Sequence, residues 1–146
     1  MKKRVALKGV LGSLLAVVAS SAVVSSPAQA APYKCGTNGA EVCFYSNPNL
    51  QGTVAVPGRL KTGDVWKRYM DDFNGWTFYN GDGLNDAVSS VWNRTPYHLA
   101  IYEHRELNSG RSGGMLMVPP GERVNVINGL VGLYDNTASS ARLFPY

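Results

Sequence analysis

The sequence predicts an all-β fold in which two Greek-key motifs close one sandwich, and three observations point there. Short β-prone runs are separated by Gly- and Pro-rich gaps, no stretch sustains a helical period, and the chain repeats itself once. In order, strands are expected over 42–45, 53–56, 88–92, 99–102, 115–118, 123–127 and 141–144. The turn-rich Ser46-Asn47-Pro48-Asn49 follows the first, and Pro57-Gly58 stops the second. The stretch 64–79 is ambiguous, and a helical turn fits it as well as a strand.

The repeat decides the architecture. The first half runs Phe44-Tyr45, a polar turn, Leu50-Gln51-Gly52, a strand, then Asn85-Asp86-Ala87-Val88-Ser89-Ser90. The second runs Ile101-Tyr102, a polar turn, Leu107-Asn108-Ser109-Gly110, a strand, then Asp135-Asn136-Thr137-Ala138-Ser139-Ser140. Tyr45 lies 40 residues before Asn85 and Tyr102 lies 33 before Asp135, so the first half holds seven more. Those extra residues are expected near Trp66, Tyr69 and Trp76. Two halves of about four strands each make two Greek keys, the first over about 42–95 and the second over about 97–146.

Residues 1–30 read as a signal peptide. Lys2, Lys3, Arg4 and Lys8 form a positive start, an apolar and serine-diluted run follows, and Ala28-Gln29-Ala30 fits the small-x-small cleavage rule. The run is short for a membrane span, so the expected product is a secreted domain over 31–146, not embedded in a membrane. Cleavage also removes the charge excess. The formal +4 rests on 14 basic and 10 acidic residues, and the four basic residues before Ala31 leave ten of each behind. The sequence pI of about 9.2 therefore belongs to the leader, and no Lys/Arg run remains to bind nucleic acid.

The expected mature length of 116 residues, 146 less the leader's 30, suffices for one domain with one core. It is expected to be monomeric. Cys35 and Cys43 are the only cysteines. In an exported chain they point to a small disulfide ring over a metal pair or a catalytic thiol, because Cys-x-x-Cys is absent and both histidines lie far along the chain. The chain-entropy model assigns such a ring roughly 2.5 kcal/mol.

The two hexapeptides share the form (Asn/Asp)-(Asn/Asp)-x-x-Ser-Ser, which average composition produces on the order of once in ten thousand positions. Two readings are open. Asn and Asp favour turns and the left-handed region, and Ser hydroxyls bond nearby backbone, so the motif is a sound turn. It also gathers carboxylate, amide, hydroxyl and carbonyl oxygens, the hard donors that calcium takes six to eight of, without a thiolate or imidazole. With few charges, affinity would fall in roughly the 10⁻⁶ to 10⁻³ M range. Asn85, Asp86, Ala87 and Ser89 in the first motif, and Asp135, Asn136, Thr137 and Ser139 in the second, are the candidate metal residues.

Catalysis finds less support. Asp71-Asp72 with Glu103 or Glu106 lacks a partner constellation, and no Gly-x-Ser-x-Gly elbow is present. The run Ser109-Gly110-Arg111-Ser112-Gly113-Gly114 follows no strand-to-helix signal and reads as an exposed hairpin loop, not a phosphate cradle. Trp66, Tyr69 and Trp76 concentrate aromatic area in the longer half, suited either to core packing or to a recognition surface.

On these motifs the sequence resembles the microbial βγ-crystallin domains, over about Cys43 to Phe144. Tyr45 to Gly52 keeps that family's hairpin spacing with Leu50 at the second aromatic place, and after Tyr102 the glycine, Gly110, falls one residue late. The resemblance implies two calcium sites, each shared between the motifs. Asp86, Ser89 and the Ala87 carbonyl, with Asn136, Ser139 and the Thr137 carbonyl, would match ligand positions, completed by hairpin carbonyls after Tyr45 and Tyr102. The leader, the cysteine pair and Cys-Phe-Tyr-Ser-Asn-Pro-Asn-Leu-Gln-Gly are also similar to secreted bacterial proteins of peptidase-inhibitor family 36. That resemblance implies a non-enzymatic inhibitor of extracellular proteinases, metalloproteinases above all, although the second disulfide tied to that activity has no counterpart here. A calcium-stabilised structural, envelope- or glycan-binding module, or a toxin-like secreted protein of the same fold, are the alternatives.

Overall fold

The structure is a computed structural model, and it describes residues 35–36, 39–60, 68–126 and 132–144. The leader and Trp66 lie outside the described residues. Eight strands form two four-stranded antiparallel sheets: β1 (Val42–Asn47), β2 (Gln51–Ala55), β3 (Tyr69–Met70), β4 (Ser90–Asn93), β5 (His98–Tyr102), β6 (Met115–Val118), β7 (Arg123–Asn125) and β8 (Ser140–Phe144). One sheet has the order β2-β1-β4-β7 and the other β3-β8-β5-β6. Each Greek key therefore lends its third strand to the other sheet, β3 to β8 and β7 to β4. This exchange ties the halves into one sandwich.

Alternation sets the two faces of each strand. On β1, Val42 and Phe44 point inward, and Phe44 sits opposite Ala55 and Val91. On β5, Leu99 faces Val118 and Leu143, while Ile101 faces Leu116 and Ala141. These side chains form one core with Met70, Phe73, Phe78, Leu84, Val88 and Ala138. The rings of Phe44 and Phe73 lie 5.3 Å apart and tilted, a favoured aromatic geometry.

The seven strands expected from the sequence all form, with bounds shifted by at most two residues and that of 115–118 unchanged; Ile127, the expected end of the sixth, lies outside the described residues. The eighth, β3, falls in the ambiguous stretch. At two residues it is too short to carry an alternation, and its place is set by pairing Tyr69 with Arg142 and Met70 with Ala141. Short 3₁₀ turns occur instead at Pro48–Leu50 and Glu106–Asn108, in the two hairpins. Gly52 explains the glycine of the first hairpin. It has φ +78°, and a Cβ there would overlap the Ser46 hydroxyl.

Cys35 and Cys43 form the expected disulfide, with Cα atoms 6.0 Å apart. Beside it the fully buried Glu41 accepts the Gly36 N–H at 2.6 Å and meets Arg94 Nη1 at 3.4 Å. The N-terminal segment is thus held to the outer face of the first sheet by a covalent bond and a buried charge pair. Asn93 is the other buried polar hub. Its amide nitrogen donates to the Tyr97, Val118 and Pro119 carbonyls, and its oxygen accepts from Thr95.

Because Phe44 lies at the centre of this core, Phe44→Ala should cost about 3–5 kcal/mol of unfolding free energy in urea titration. A cost under about 1 kcal/mol would show that the two sheets do not close over it.

Candidate metal centre

The two hexapeptides fold alike. Each begins with a tight turn, has its second residue in the left-handed region (Asp86 φ 53°, Asn136 φ 57°), and ends with its second serine opening a strand. Short Asn and Asp side chains tolerate that region, and a β-branched residue would not. Their burial patterns match residue for residue, with the Asp86 and Asn136 side chains exposed and both serines buried.

The motifs then meet each other. Asp86 N–H donates to the Ala138 carbonyl at 3.0 Å, and Asn136 N–H donates to the Val88 carbonyl at 3.3 Å. Their side chains cross in the same way. Ser139 Oγ donates to Asp86 Oδ1 at 3.1 Å, and Ser89 Oγ donates to Asn136 Oδ1 at 3.2 Å. Asp86, Ser89, Asn136 and Ser139 are thus brought together as two crossed oxygen pairs, each drawing one residue from each motif.

Each first serine also connects to the hairpin of its own half. Ser89 N–H donates to the Tyr45 carbonyl and Ser139 N–H to the Tyr102 carbonyl, both at 2.9 Å. Burial pushes the phenols of Tyr45 and Tyr102 up, with Arg123 and Arg142 respectively opposing. The remaining motif residues divide. Asn85 donates to Asp86 Oδ2 at 2.7 Å, and Thr137 Oγ1 caps the Tyr134 carbonyl at 2.8 Å. Asp135 Oδ1 is buried without a hydrogen-bond partner. An anionic oxygen left so is costly, and a cation or water would relieve it.

Sequence reasoning credited the second serines with closing the motif and missed what they do. Ser90 Oγ donates to the Asn47 carbonyl at 2.6 Å and accepts the Leu50 N–H at 3.0 Å. Ser140 Oγ does the same with the His104 carbonyl at 2.6 Å and the Leu107 N–H at 3.1 Å. Each hydroxyl pins a turn whose residues stand at positive φ: Asn49 and Leu50 in one, Glu106, Leu107 and Asn108 in the other. The doubled Ser-Ser was the available signal. Its first member faces the other motif, its second the hairpin, because neighbouring residues of an extended chain point oppositely.

Of the aromatic residues, Trp76 is partly buried and packs against the core, while Tyr69 is 37% exposed on β3. Tyr79, at 65%, is more exposed than either. Among the described residues, Cys35, Glu41 and Cys43 also cluster, but the disulfide occupies both sulfurs.

Ser90→Ala and Ser140→Ala each leave a strained turn with an unpaired N–H and carbonyl, so each should cost about 1–3 kcal/mol in chemical denaturation. Ser→Ala at the exposed Ser109, as a control, should stay within about 0.5 kcal/mol.

Three solved structures align with most of the chain. One, described as "Evolution of the eye lens beta-gamma-crystallin domain fold", covers 74% of this chain and 88% of its own at 21% identity, with a TM-score of 0.52. A beta gamma crystallin from Ciona intestinalis covers 71% and 99% at 18% identity, with a TM-score of 0.49. The N-terminal domain of protein S covers 72% and 96% at 20% identity, with a TM-score of 0.45. The first of these shows that the sandwich is a βγ-crystallin fold. No curated protein matches the sequence. Residues 28–115 match the model of peptidase inhibitor family I36, and to that family the chain belongs.

Proposed function

We propose that the chain is a secreted, non-catalytic βγ-crystallin-like module that binds calcium at two sites and inhibits extracellular proteinases. The observation that carries inhibition is the family match, which spans the first Greek key, β5 and the hairpin into β6. Among the described residues no helix is long and apolar enough to cross a membrane.

The crossed oxygen pairs support the metal reading. Two ligands held about 2.4 Å from one calcium ion and about 80° apart stand about 3.1 Å from each other. The side-chain oxygens of Asp86 and Ser139, and of Asn136 and Ser89, already have that separation. The partnerless Asp135 oxygen lies in the same motif. Asp86 and Ser139 would hold one ion and Asn136 and Ser89 the other, with calcium supplying a cross-link between the halves.

Charge ranks the sites. The first has the Asp86 carboxylate and lies beside the hairpin that begins at Glu103, whereas the second offers neutral Asn136 and Ser89. The carboxylate makes the Glu103 side the tighter site.

Calcium at a hundredfold over its Kd should add about 2.7 kcal/mol per site and raise the Tm of the exported domain. Asp86→Ala with Ser139→Ala should abolish the larger part of that rise, and Asn136→Ala with Ser89→Ala the smaller. An unchanged Tm would leave the motifs as turns only. In parallel, the domain should titrate thermolysin-, subtilisin- or trypsin-type enzymes stoichiometrically. Inhibition of none of them, with calcium stabilisation retained, would leave a calcium-stabilised binding module.

A further inference from the structure

An inhibitor that blocks a proteinase through a loop must offer one segment that is exposed, leads with a side chain the enzyme wants, and is fastened on both sides. Residues 109–113, between the second 3₁₀ turn and β6, are exposed throughout. Arg111 stands at their centre, and among the described residues its guanidinium has no ion pair or ring partner.

Arg59 is exposed too, but the N–H of the next residue, Leu60, is held by the Pro57 carbonyl at 3.1 Å. The remaining described arginines are unsuited. Arg94 and Arg123 lie against the Trp92 ring, at 4.9 Å and 4.1 Å from its centre, and Arg142 lies 5.0 Å from that of Phe144. Arg68 is buried over Tyr97. Arg105 is exposed, but the next N–H, from Glu106, is held by the Asp71 carbonyl at 2.5 Å, which keeps that peptide against the body.

The loop is fastened on each side of the Arg111–Ser112 peptide. Upstream, Arg111 N–H donates to the Asn108 carbonyl at 3.0 Å. Downstream, His104 Nε2 lies 3.2 Å from the Ser112 carbonyl oxygen, a donor position in the Nε2–H tautomer. Asn108 ties both flanks together: its Oδ1 accepts the His104 N–H at 2.8 Å and its Nδ2 donates to the Gly114 carbonyl at 3.0 Å. Gly114 N–H in turn donates to Glu103 Oε2 at 2.6 Å. The glycines permit this closeness, since a Cβ on Gly113 would fall 2.8 Å from the His104 ring and one on Gly114 would overlap the Gly132 carbonyl. Such tethers pre-order the loop before binding and hold both new ends after a cut.

We propose that 109–113 is an inhibitory loop for serine proteinases of trypsin-like specificity, with Arg111 entering the acidic primary pocket and Arg111–Ser112 as the presented bond. This rests on the inhibitor reading above and names its partner. A guanidinium suits a buried carboxylate in such a pocket through paired charge-assisted hydrogen bonds. In the enzyme's cleft, the serine Oγ bonds to the Arg111 carbonyl carbon as the bond to Ser112 N breaks. The serine proton passes through the enzyme's histidine to the Ser112 amine. With Ser112 held by His104, that amine stays placed to attack the ester, re-forming the peptide and returning the proton.

The test is titration of trypsin with the exported domain, with subtilisin and thermolysin alongside and mass analysis of the inhibitor after incubation. Wild type should inhibit trypsin stoichiometrically and show slow cleavage between Arg111 and Ser112. Arg111→Ala should weaken that inhibition by about a hundredfold, and Arg111→Lys should retain most of it. Asn108→Gly keeps the left-handed backbone and removes the side-chain tethers, so it should turn slow cleavage into rapid hydrolysis. Trypsin left uninhibited while subtilisin or thermolysin is blocked would overturn the Arg111 assignment and leave the inhibitor reading standing. So would rapid wild-type hydrolysis without inhibition, or trypsin inhibition unchanged in folded Arg111→Ala. Failure against all three enzymes would remove the inhibitor reading and this proposal together.

Discussion

Two buried hydroxyls hold the architecture in register. Ser90 and Ser140 open β4 and β8, and each donates to a hairpin carbonyl while accepting a hairpin N–H. The turns they grip contain five non-glycine residues at positive φ, a conformation that L-residues other than Asn and Asp adopt at a cost. Leu50 and Leu107 have apolar side chains, which offer no hydrogen bond to offset that cost. It is met by a serine arriving from 40 residues away in one half and 33 in the other. The hairpins are therefore folded over their strands by long-range contacts, and the strands are registered by the hairpins.

The same serine pairs organise the site. Since Ser90 and Ser140 face their hairpins, Ser89 and Ser139 must face the opposite way, toward the other motif. There each finds the residue at positive φ, Asn136 or Asp86. The crossing of the motifs follows from strand alternation together with the pseudo-twofold relation of the halves. What a cation would add is relief for oxygens already gathered, chiefly the Asp86 carboxylate and the partnerless oxygen of Asp135. The two pairs differ by one formal charge, because the repeat places Asp in one motif where Asn stands in the other.

The fold was legible where the signal was periodic or repeated. Val42 to Tyr45 and Leu99 to Tyr102 declare themselves by β-branched and aromatic residues, and the doubled hexapeptide announces the second Greek key. β3 was hidden because two residues hold no period, and its position depends on partners in β8 that lie more than 70 residues away. Trp76 could equally have been core or surface from its type alone; it lies partly buried against the core that contains Phe73 and Phe78. The site residues were recognisable as hard donors and the resemblance implied sites shared between the motifs, yet which residues pair was not legible. Nothing in Asp86 or Ser139 states that they meet across 53 residues, since that contact is made by the sandwich and not by either motif.

The loop at 109–113 shows how far this organisation reaches. Ser140 fixes the His104 carbonyl and the Leu107 N–H, so it sets the turn from which His104 and Asn108 project. Those two side chains then hold Ser112 and Gly114. An exposed loop rich in glycine would ordinarily sample many conformations, and here its freedom is restricted by polar bonds traceable to one buried hydroxyl. The corresponding hairpin in the first half has the serine, the turn and the leucine, but it closes directly at Gly52 with no room for such a loop. The late glycine at 110, which looks like a fault in the repeat, belongs to a longer second hairpin, in which Tyr102 pairs with Met115 whereas Tyr45 pairs with Val54.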